Sequence, residues 1–457
     1  MKTRICLAVL ALALTSCAKG TGGQVAPQEA GKYNPSARYT GTITVMGIAG
    51  VDEVATTRLG LAEAALGGAD VKRTEGDLDV QQFLSSVASG SPPDLVYANR
   101  DQIGTFASRG AIIPLGACIE GEQIDTGMYD DAALAQVTLG EEVWGIPEFN
   151  QVQITMANAG LLDKAGLTIA DVNGSDWEKI TAAARKLHQN AGGKLKVIGF
   201  DSKLPEFLPL WAKANGADLL SEDGRTARLN DPKVVEALAF AAGVYEAQGG
   251  FAEVKALRDA ADFFGKGNQF AKNELGAMPM EQWYVNVLNN ESPRAAMVFD
   301  AFRDKEGNPL AYSSGSAWAV PKGAKNPEAA CRFAKHMTLV DTWKAAAQAR
   351  VDLRTKENKP FTGILTGNEQ ADETIESMLT PGGQPWDTGV KAVYEANDNN
   401  FGLPANPAGE EFKKAWQDAA NRVLNGQMPP KESLDRAQQE AQAALDKAWA
   451  GWTKRTD

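Results

Sequence analysis

The polar run Asn99-Arg100-Asp101 offers an amide, a guanidinium and a carboxylate in three successive residues. It follows the apolar run 95–98, which is typical of a strand buried on both faces, and it precedes a helical pattern that ends near Gly110. Ligands of open α/β sheets bind in the crevice beyond the carboxyl ends of the strands. The three side chains are therefore candidates for binding a small polar ligand. A solvated loop with a helix N-cap is the alternative, and position alone favours it slightly.

Motifs for covalent or metal chemistry are missing from the sequence. It has no G-x-S-x-G, H-E-x-x-H or Cys-x-x-Cys pattern, and His188 and His336 lie far apart in helical patterns. The glycine-rich fingerprints G-x-G-x-x-G and G-x-x-x-x-G-K-[ST], which bind nucleotide phosphates, are also absent. These patterns predict a protein without a metal or a cofactor and disfavour an enzyme. A glycosidase remains an alternative, because sequence cannot place paired carboxylates across a sugar.

Length and charge narrow the class of protein. A chain of 457 residues is too long for one ordinary domain and suits two lobes with separate cores. The net charge is −12, whereas nucleic-acid binding requires a basic face and docking on anionic lipids requires a polybasic segment. We therefore expect neither nucleic acid nor a polybasic membrane contact among its partners.

The N-terminus has the features of a targeting segment. Lys2 and Arg4 precede an apolar core at 6–14 that is too short to span a membrane. Leu-Thr-Ser-Cys at 14–17 resembles the bacterial lipobox, which implies that Cys17 is lipidated and becomes the mature N-terminus. Residues 1–17 are thus predicted to be a lipoprotein signal peptide, and 18–40, rich in Gly, Gln, Pro, Ser and Ala, a flexible leash. An ordinary secretory signal with an incidental cysteine is the alternative.

Two further cysteines, Cys118 and Cys331, remain in the mature chain. An extracytoplasmic compartment permits a disulfide between them. Two buried free thiols fit the sequence equally well, because sequence gives no geometry.

Several strings resemble the extracellular solute-binding proteins of sugar ABC transporters, the maltose-binding-protein-like group. One is 81–115, in which a helix, Ser-Gly-Ser-Pro-Pro-Asp, a strand and a second helix lead to Ile-Ile-Pro-Leu. A second is Val-Trp-Gly-Ile-Pro at 143–147, followed by Asn-Ala-Gly-Leu-Leu-Asp-Lys-Ala-Gly-Leu at 158–167. The others are the segment 264–284 and the segment 313–330, which reads SSGSAWAVPKGAKNPEAA.

The resemblance implies a two-lobed α/β fold of the periplasmic-binding-protein type, type II-like. Each lobe would contain a mixed, mostly parallel sheet flanked by helices, and crossing strands would form the hinge. The boundaries predicted on this basis are 41–148 with 297–324 for the N-terminal lobe, and 149–296 with 325–457 for the C-terminal lobe.

Trp283 is the leading candidate for ligand binding, because the resemblance implies that its strand delivers an aromatic ring into the cleft. Glu281 and Gln282 stand beside it, and an aromatic face with a carboxylate and an amide suits the C–H patches and hydroxyls of a sugar. Besides these and the run 99–101, the predicted ligand-binding residues are Glu148, Asn150, Trp211, Ser314, Gly315, Ser316, Arg350, Asp352, Asn399 and Phe401.

The resemblance further implies function and partners. A lipid-anchored monomer on the extracytoplasmic face of the cell membrane would capture a disaccharide or short oligosaccharide between its lobes. It would close by a hinge motion and deliver the sugar to the permease of an ABC importer. A glycerophosphodiester or polyol ligand is one alternative; a sensor or adhesin that contacts another protein is a second.

Overall fold

The chain folds into two α/β lobes in the computed structural model, which describes residues 33–36 and 39–456. The predicted signal peptide, Cys17 and the first part of the predicted leash lie outside these described residues. Within them, none of the helices combines the length and the apolar character needed to cross a membrane.

The described strands are β1 (Gly41–Ile48), β2 (Ala69–Glu75), β3 (Leu95–Asn99), β4 (Thr138–Leu139), β5 (Glu142–Val143), β6 (Ile146–Gln151), β7 (Gln153–Asn158), β8 (Gln189–Ala191), β9 (Lys194–Phe200), β10 (Leu275–Glu281), β11 (Met297–Ala301), β12 (Ala311–Tyr312), β13 (Ser314–Ala319) and β14 (Asn400–Phe401). The helices are α1 (Glu53–Ala64), α2 (Val80–Ala88), α3 (Arg100–Ser108), α4 (Gly116–Glu122), α5 (Asp131–Ala135), α6 (Ala159–Ala165), α7 (Trp177–Leu187), α8 (Leu208–Ala214), α9 (Pro232–Glu246), α10 (Phe251–Asp259), α11 (Trp283–Glu291), α12 (Pro327–Thr338), α13 (Val340–Lys356), α14 (Glu369–Glu376), α15 (Trp386–Asn397), α16 (Gly409–Leu424) and α17 (Pro430–Thr456).

The N-terminal lobe is built on a five-stranded sheet in the order β2-β1-β3-β13-β6. Strands β1, β2 and β3 are parallel, and β13 runs antiparallel to both of its neighbours. Leu95 and Val96 are fully buried although they point to opposite faces of β3. Apolar residues on both faces are expected for a central strand covered by helices on each side.

The C-terminal lobe contains a second five-stranded sheet in the order β11-β7-β10-β9-β8. Its central strand β10 pairs parallel with β9 and antiparallel with β7. Residues 275–280 of β10 are all buried, and burial ends at Glu281. The strand therefore ends at the residue where the chain leaves the core, and α11 begins two residues later at Trp283.

The two sheets are connected by strands that cross from one to the other. Val152 is the single residue between β6 in the first sheet and β7 in the second. The Gln282 side chain holds this crossing: its Nε2 donates to the Asn150 carbonyl at 2.8 Å, and its Oε1 accepts from the Val152 amide at 3.0 Å. The chain returns from β11 in the second sheet to β13 in the first through β12. We call residues 150–153 the hinge.

One part of the predicted lobe boundaries is wrong. The sequence placed 325–457 in the C-terminal lobe, but α12 contributes Phe333 and Ala334 to the core that contains Ile43 and Val45 of β1. Helix α13 packs against α1 and also belongs to the N-terminal side, whereas α15 packs against β11 of the other sheet. Helix α16 pairs with α17 and contacts both α3 and α9, so the last helices touch both lobes.

Cys118 and Cys331 form a disulfide that joins α4 to α12 in the N-terminal lobe. Beside it, Glu122 accepts from Arg332 Nε at 3.0 Å and from the Tyr33 hydroxyl at 2.6 Å. Tyr39 is also buried. The end of the predicted leash at residue 40 is therefore wrong, because the chain already packs on the lobe at Tyr33.

Candidate functional site

A cavity of about 190 Å³ lies between the two lobes beside the hinge. Trp283, Gln282 and Arg350 from the predicted set line it. The other lining residues are Asp52, Val54, Phe149, Val285, Asn286, Thr362, Gly363, Ile364, Leu365, Val393 and Tyr394. Because both lobes contribute walls, a ligand bound here would contact both lobes at once.

The wall from the C-terminal lobe starts where β10 ends. Trp283 is the first residue of α11, and its ring is half-buried. The indole Nε1 donates to Glu281 Oε2 at 3.1 Å, which fixes the ring relative to the strand. Gln282 lines the cavity, but its amide is already hydrogen-bonded to the hinge backbone. Trp283 thus provides an apolar face with a carboxylate at its edge.

The Glu281 carboxyl group is electrostatically perturbed. Burial raises its pKa, while the positive charge of Lys203 and the indole N–H of Trp283 oppose that effect. A carboxyl group in this environment is suited to exchanging hydrogen bonds with hydroxyl groups.

The opposite wall is formed by charged residues of the N-terminal lobe. Asp52 caps α1, since its Oδ1 accepts from the Ala55 amide at 2.8 Å. Its Oδ2 pairs with Arg350 Nη2 at 2.5 Å, and Arg350 Nε pairs with Glu53. Asp52 therefore both caps α1 and lines the cavity, and Arg350 is held by two carboxylates.

Phe149 lines the cavity although the sequence reading did not select it. Its ring packs edge-to-face on Trp343 with the centroids 5.0 Å apart, and the Arg58 guanidinium lies 5.0 Å from its centroid. In β6 the buried residues Glu148 and Asn150 alternate with the half-buried Phe149 and Gln151. Phe149 lies at a β-bulge, because Ser316 pairs with Glu148 and Gly315 with Asn150, and its φ is +53°. Nothing in the sequence indicates this bulge, which interrupts the regular alternation of the strand.

Four residues of the predicted ligand-binding set have buried side chains that do not line this cavity. Arg100 is 1% exposed and donates to the Ser313 hydroxyl at 3.3 Å and to the Ser314 carbonyl. Glu148, also 1% exposed, pairs with Arg58 at 2.8 Å and accepts from the Trp318 indole.

Asn150 and Trp211 complete this group. Asn150 donates to Asn397 Oδ1 at 3.2 Å. Trp211 has no exposed surface, and its Nε1 donates to the Ser202 carbonyl at 2.8 Å. Both side chains therefore form hydrogen bonds within the protein and do not line the cavity.

The small residues of β13 serve chain packing as well. A Cβ at Gly315 would lie 2.0 Å from the Phe149 carbonyl oxygen, so glycine permits the close approach of β6. Ser314 donates to Gln151 Oε1 at 3.3 Å, and Ser316 pairs with Asn99 and Glu148 in the sheet. None of these three predicted ligand-binding residues lines the cavity.

The remaining predicted residues lie outside the cavity. Asn99 is exposed and forms a capping box with Gln102, which agrees with the alternative reading of this run. Asp101 pairs with Lys413 at 2.6 Å in a second crevice of only about 30 Å³. Asp352 and Asn399 are exposed and bond within their own helical turns, and Phe401 packs on Tyr312 with the ring centroids 5.6 Å apart. We leave these five out of the candidate site.

Among the described residues, no group of three or more His, Cys, Asp or Glu side chains is arranged to hold a metal ion.

The segment 362–365 closes one side of the cavity. It contains Gly363 with a φ of +86°, and a Cβ there would lie 2.7 Å from the Tyr394 hydroxyl. Nothing in the sequence of that segment marks it as a cavity wall.

Comparison with known proteins identifies relatives along most of the chain. A family model described as bacterial extracellular solute-binding protein matches residues 62–353. A maltooligosaccharide ABC transporter solute-binding lipoprotein of Streptococcus pneumoniae is 24% identical over 338 residues, which cover 67% of this chain and 72% of that protein.

Solved structures are similar to a larger part of this chain than that lipoprotein is. CpMnBP1 with mannobiose bound superposes with a TM-score of 0.71 at 20% identity, covering 88% of this chain and 99% of that chain. The substrate-binding protein Lmo0181 of Listeria monocytogenes, in complex with cycloalternan, gives a TM-score of 0.71 at 18% identity, covering 89% of this chain and 100% of that chain. The predicted two-lobed α/β fold is confirmed, and because the family model matches more than half of its residues, this chain belongs to the bacterial extracellular solute-binding proteins.

Proposed function

We propose that this protein binds a disaccharide or short oligosaccharide in the cavity between its lobes and delivers it to an ABC importer. The observation that carries the proposal is the position of Trp283, which faces Asp52 and Arg350 across the cavity. A pyranose ring has flat C–H patches that pack on an aromatic face and hydroxyl groups that exchange hydrogen bonds with charged groups. The relatives named for maltooligosaccharide, mannobiose and cycloalternan agree with this ligand class.

The charge arrangement favours a neutral ligand over a phosphodiester. Arg350 is already paired with both Asp52 and Glu53, so an anionic group entering the cavity would also meet two carboxylates. Arg100, another cation of the predicted ligand-binding set, is buried and donates to the Ser314 carbonyl of β13. A neutral sugar would leave the net charge of this wall unchanged, whereas a phosphodiester would add a negative charge.

Binding on this proposal is coupled to a hinge motion. The cavity is smaller than the roughly 300 Å³ at which ligand pockets usually begin. A disaccharide would therefore enter while the lobes are further apart, and the lobes would then close around it by rotation at the hinge. The ligand stabilises the closed form only to the extent that it binds that form more tightly than the open one.

Anchoring and delivery complete the proposal. Lipidation of Cys17 would hold a monomer on the extracytoplasmic face of the cell membrane, and two acyl chains suffice for stable anchoring. The transporter lipoprotein among the relatives supports both the anchor and the permease partner. The net charge of −12 supports the absence of a nucleic-acid partner. Release of the sugar chemically unchanged would distinguish this binder from a glycosidase.

Calorimetric titration tests the proposal directly. We would titrate wild type, Trp283→Ala and Leu61→Ala with disaccharides, oligosaccharides, glycerophosphodiesters and polyols, and then analyse the recovered ligand. Leu61 is the control, because it is 42% exposed and does not line the cavity. We expect saturable binding of a sugar, recovered intact, that Trp283→Ala weakens at least tenfold and Leu61→Ala leaves unchanged. Binding of a phosphodiester alone, shortened sugars, or no ligand would contradict the proposal.

A further inference from the structure

Arg100 is a buried cation that has no ion-pair partner among the described residues. Only 1% of its surface is exposed, and it is the first residue of α3 in the N-terminal lobe. Its Nη2 donates to the Ser313 hydroxyl at 3.3 Å and to the Ser314 carbonyl. Its Nε and Nη1 are buried and find no hydrogen-bond partner in the part of the chain that the structure describes. Each unpaired N–H of a buried charge raises the free energy of this conformation.

The carboxylates near Arg100 are bonded to other residues. Burial lowers the pKa of the Arg100 guanidinium to about 10, although the charges of Asp130 and Asp101 oppose that effect. Asp130 accepts from Asn400 Nδ2 at 2.7 Å, and Asp101 pairs with Lys413 at 2.6 Å. A pKa lowered by burial means that the surroundings disfavour the charged form. The positive charge of Arg100 is therefore only partly compensated.

Arg100 lies where the two connections between the lobes meet. The segment 313–314 is the point at which the returning chain enters β13, and Asn150 is the first residue of the hinge. A Cβ at Gly315 would lie 2.6 Å from Arg100 Nη2 and 2.0 Å from the Phe149 carbonyl oxygen. Glycine at this position thus lets the guanidinium approach both connections. A rotation at the hinge would move the groups that surround Arg100.

An unpaired acceptor lies close to these unpaired donors. Asn150 Oδ1 is buried and, within the described chain, accepts no hydrogen bond. A Cβ at Gly367, whose φ is +73°, would lie 3.4 Å from Asn150 Oδ1 and 3.7 Å from Arg100 Nη1. Two groups that could bond each other thus border the same gap without doing so. Because Asn150 belongs to the hinge, their separation depends on the angle between the lobes.

We propose that the buried charge of Arg100 opposes closure of the lobes, so that the ligand-free protein rests in an open form. The lobes lie together in this conformation, with a cavity of about 190 Å³ between them. Opening at the hinge would let water or Asn150 satisfy the unpaired N–H groups, and closure would bury them again. The apparent affinity for a ligand is then reduced by the fraction of the protein that is closed. The inference rests on the hinge closure of the proposed function but not on the identity of the ligand.

Pulsed EPR distances between the lobes, measured on the full chain in mild detergent, test this inference. Spin labels are attached at Arg73→Cys in β2 and Gln189→Cys in β8, two exposed positions on the sheet edges away from the hinge. Arg100→Met and Arg100→Gln remove the charge, whereas Arg100→Lys keeps it. Arg185→Met is the matched control, because Arg185 is an exposed arginine of α7. Thermal melting identifies the variants that are folded.

We expect ligand-free Arg100→Met and Arg100→Gln to give the interlobe distance of the conformation described above. The wild type, Arg100→Lys and Arg185→Met should give a different distance, that of the open form. Maltotriose and cellotriose, an α-linked and a β-linked trisaccharide of glucose, serve as binding probes in calorimetry. The two neutral variants should bind whichever probe the wild type binds about tenfold more tightly, because less of the binding free energy is needed to close the lobes.

The outcomes separate this inference from the proposed function. The inference is wrong if the ligand-free wild type shows only the closed distance, or if the neutral variants are as open as the wild type or more open. It is also wrong if Arg100→Lys behaves like the neutral variants, because the charge would then not be the cause. The distances require no ligand. Distances that shift as expected in a protein that binds no sugar would contradict the proposed sugar ligand and leave the role of Arg100 intact.

Discussion

At the scale of single residues, Asp52 combines two roles that can be separated. Its Oδ1 caps α1 through the Ala55 amide, and its Oδ2 pairs with Arg350 on the cavity wall. Asparagine caps a helix about as well as aspartate does, but it carries no charge. A single substitution can therefore remove the electrostatic role and keep the structural one.

We expect Asp52→Asn to weaken sugar binding several-fold while the free energy of unfolding changes by less than about 0.5 kcal/mol. The physical reason is that Arg350 would lose one of its two carboxylate partners and turn toward Glu53. Asp79→Asn is the matched control, since Asp79 caps α2 in the same way, through the Gln82 amide at 2.9 Å, and does not line the cavity. Calorimetric titration and chemical denaturation of both variants measure the two effects. If Asp52→Asn binds the sugar as tightly as the wild type does, the charge of Asp52 does not contribute to sugar binding.

The two tryptophans selected from the sequence show what such reasoning can resolve. Trp283 was placed beside the cleft because the order of strand, Glu-Gln-Trp and helix resembles the family, and it lines the cavity. Trp211 was also predicted to bind the ligand, yet it is fully buried between Phe200 and Phe302, with centroid distances of 6.2 and 5.0 Å. An aromatic residue on a short helix reads the same in sequence whether it faces a core or a cleft. Only the partners from distant segments decide between the two.

At the scale of elements, α4 and α12 are joined twice although they are far apart in sequence. The disulfide Cys118–Cys331 spans 213 residues, and the ion pair of Glu122 with Arg332 lies beside it at 3.0 Å. A cross-link that closes a long loop restricts the unfolded chain strongly. Both cysteines are visible in the sequence. Their pairing and the position of α12 in the N-terminal lobe could not be predicted from it, because both depend on contacts between segments far apart in the chain.

We expect Cys118→Ala/Cys331→Ala to lower the free energy of unfolding of the N-terminal lobe by about 2–5 kcal/mol. Sugar affinity should stay within about twofold of wild type, because neither cysteine lines the cavity. Denaturant unfolding followed at two wavelengths, with calorimetric titration of the folded variant, gives both quantities. A variant as stable as the wild type would show that packing and the Glu122 ion pairs suffice to hold α12.

At the scale of the whole molecule, a buried polar chain connects the lobes behind the hinge. Asp372 in α14 accepts from the Thr366 amide at 2.8 Å and from Asn397 Nδ2 at 3.4 Å, and Asn397 Oδ1 accepts from Asn150 at 3.2 Å. Burial, reinforced by the charge of Asp130, raises the pKa of Asp372 from 3.8 to about 8. The folded protein therefore holds a proton at neutral pH that the unfolded chain has released.

The sign of the pH dependence follows from that proton. Between pH 4 and pH 8 the folded state binds more protons at Asp372 than the unfolded state does, so this group makes the free energy of unfolding fall as the pH rises. We expect Asp372→Asn to reduce that fall and to melt at a higher temperature than the wild type above pH 8. Melting curves from pH 5 to pH 9 for both proteins are the measurement. Parallel curves for the two would mean that Asp372 is ionised at neutral pH.

The central claim is that the ligand lies between the two lobes, and hydrogen–deuterium exchange tests it most directly. The protein is labelled with and without a saturating oligosaccharide, and peptides covering 48–54 and 281–286 are compared with the rest of the chain. These segments come from opposite walls of the cavity. We expect both to gain protection together when the sugar binds. Protection in one lobe alone, or only around 403–416 at the second crevice, would contradict the account.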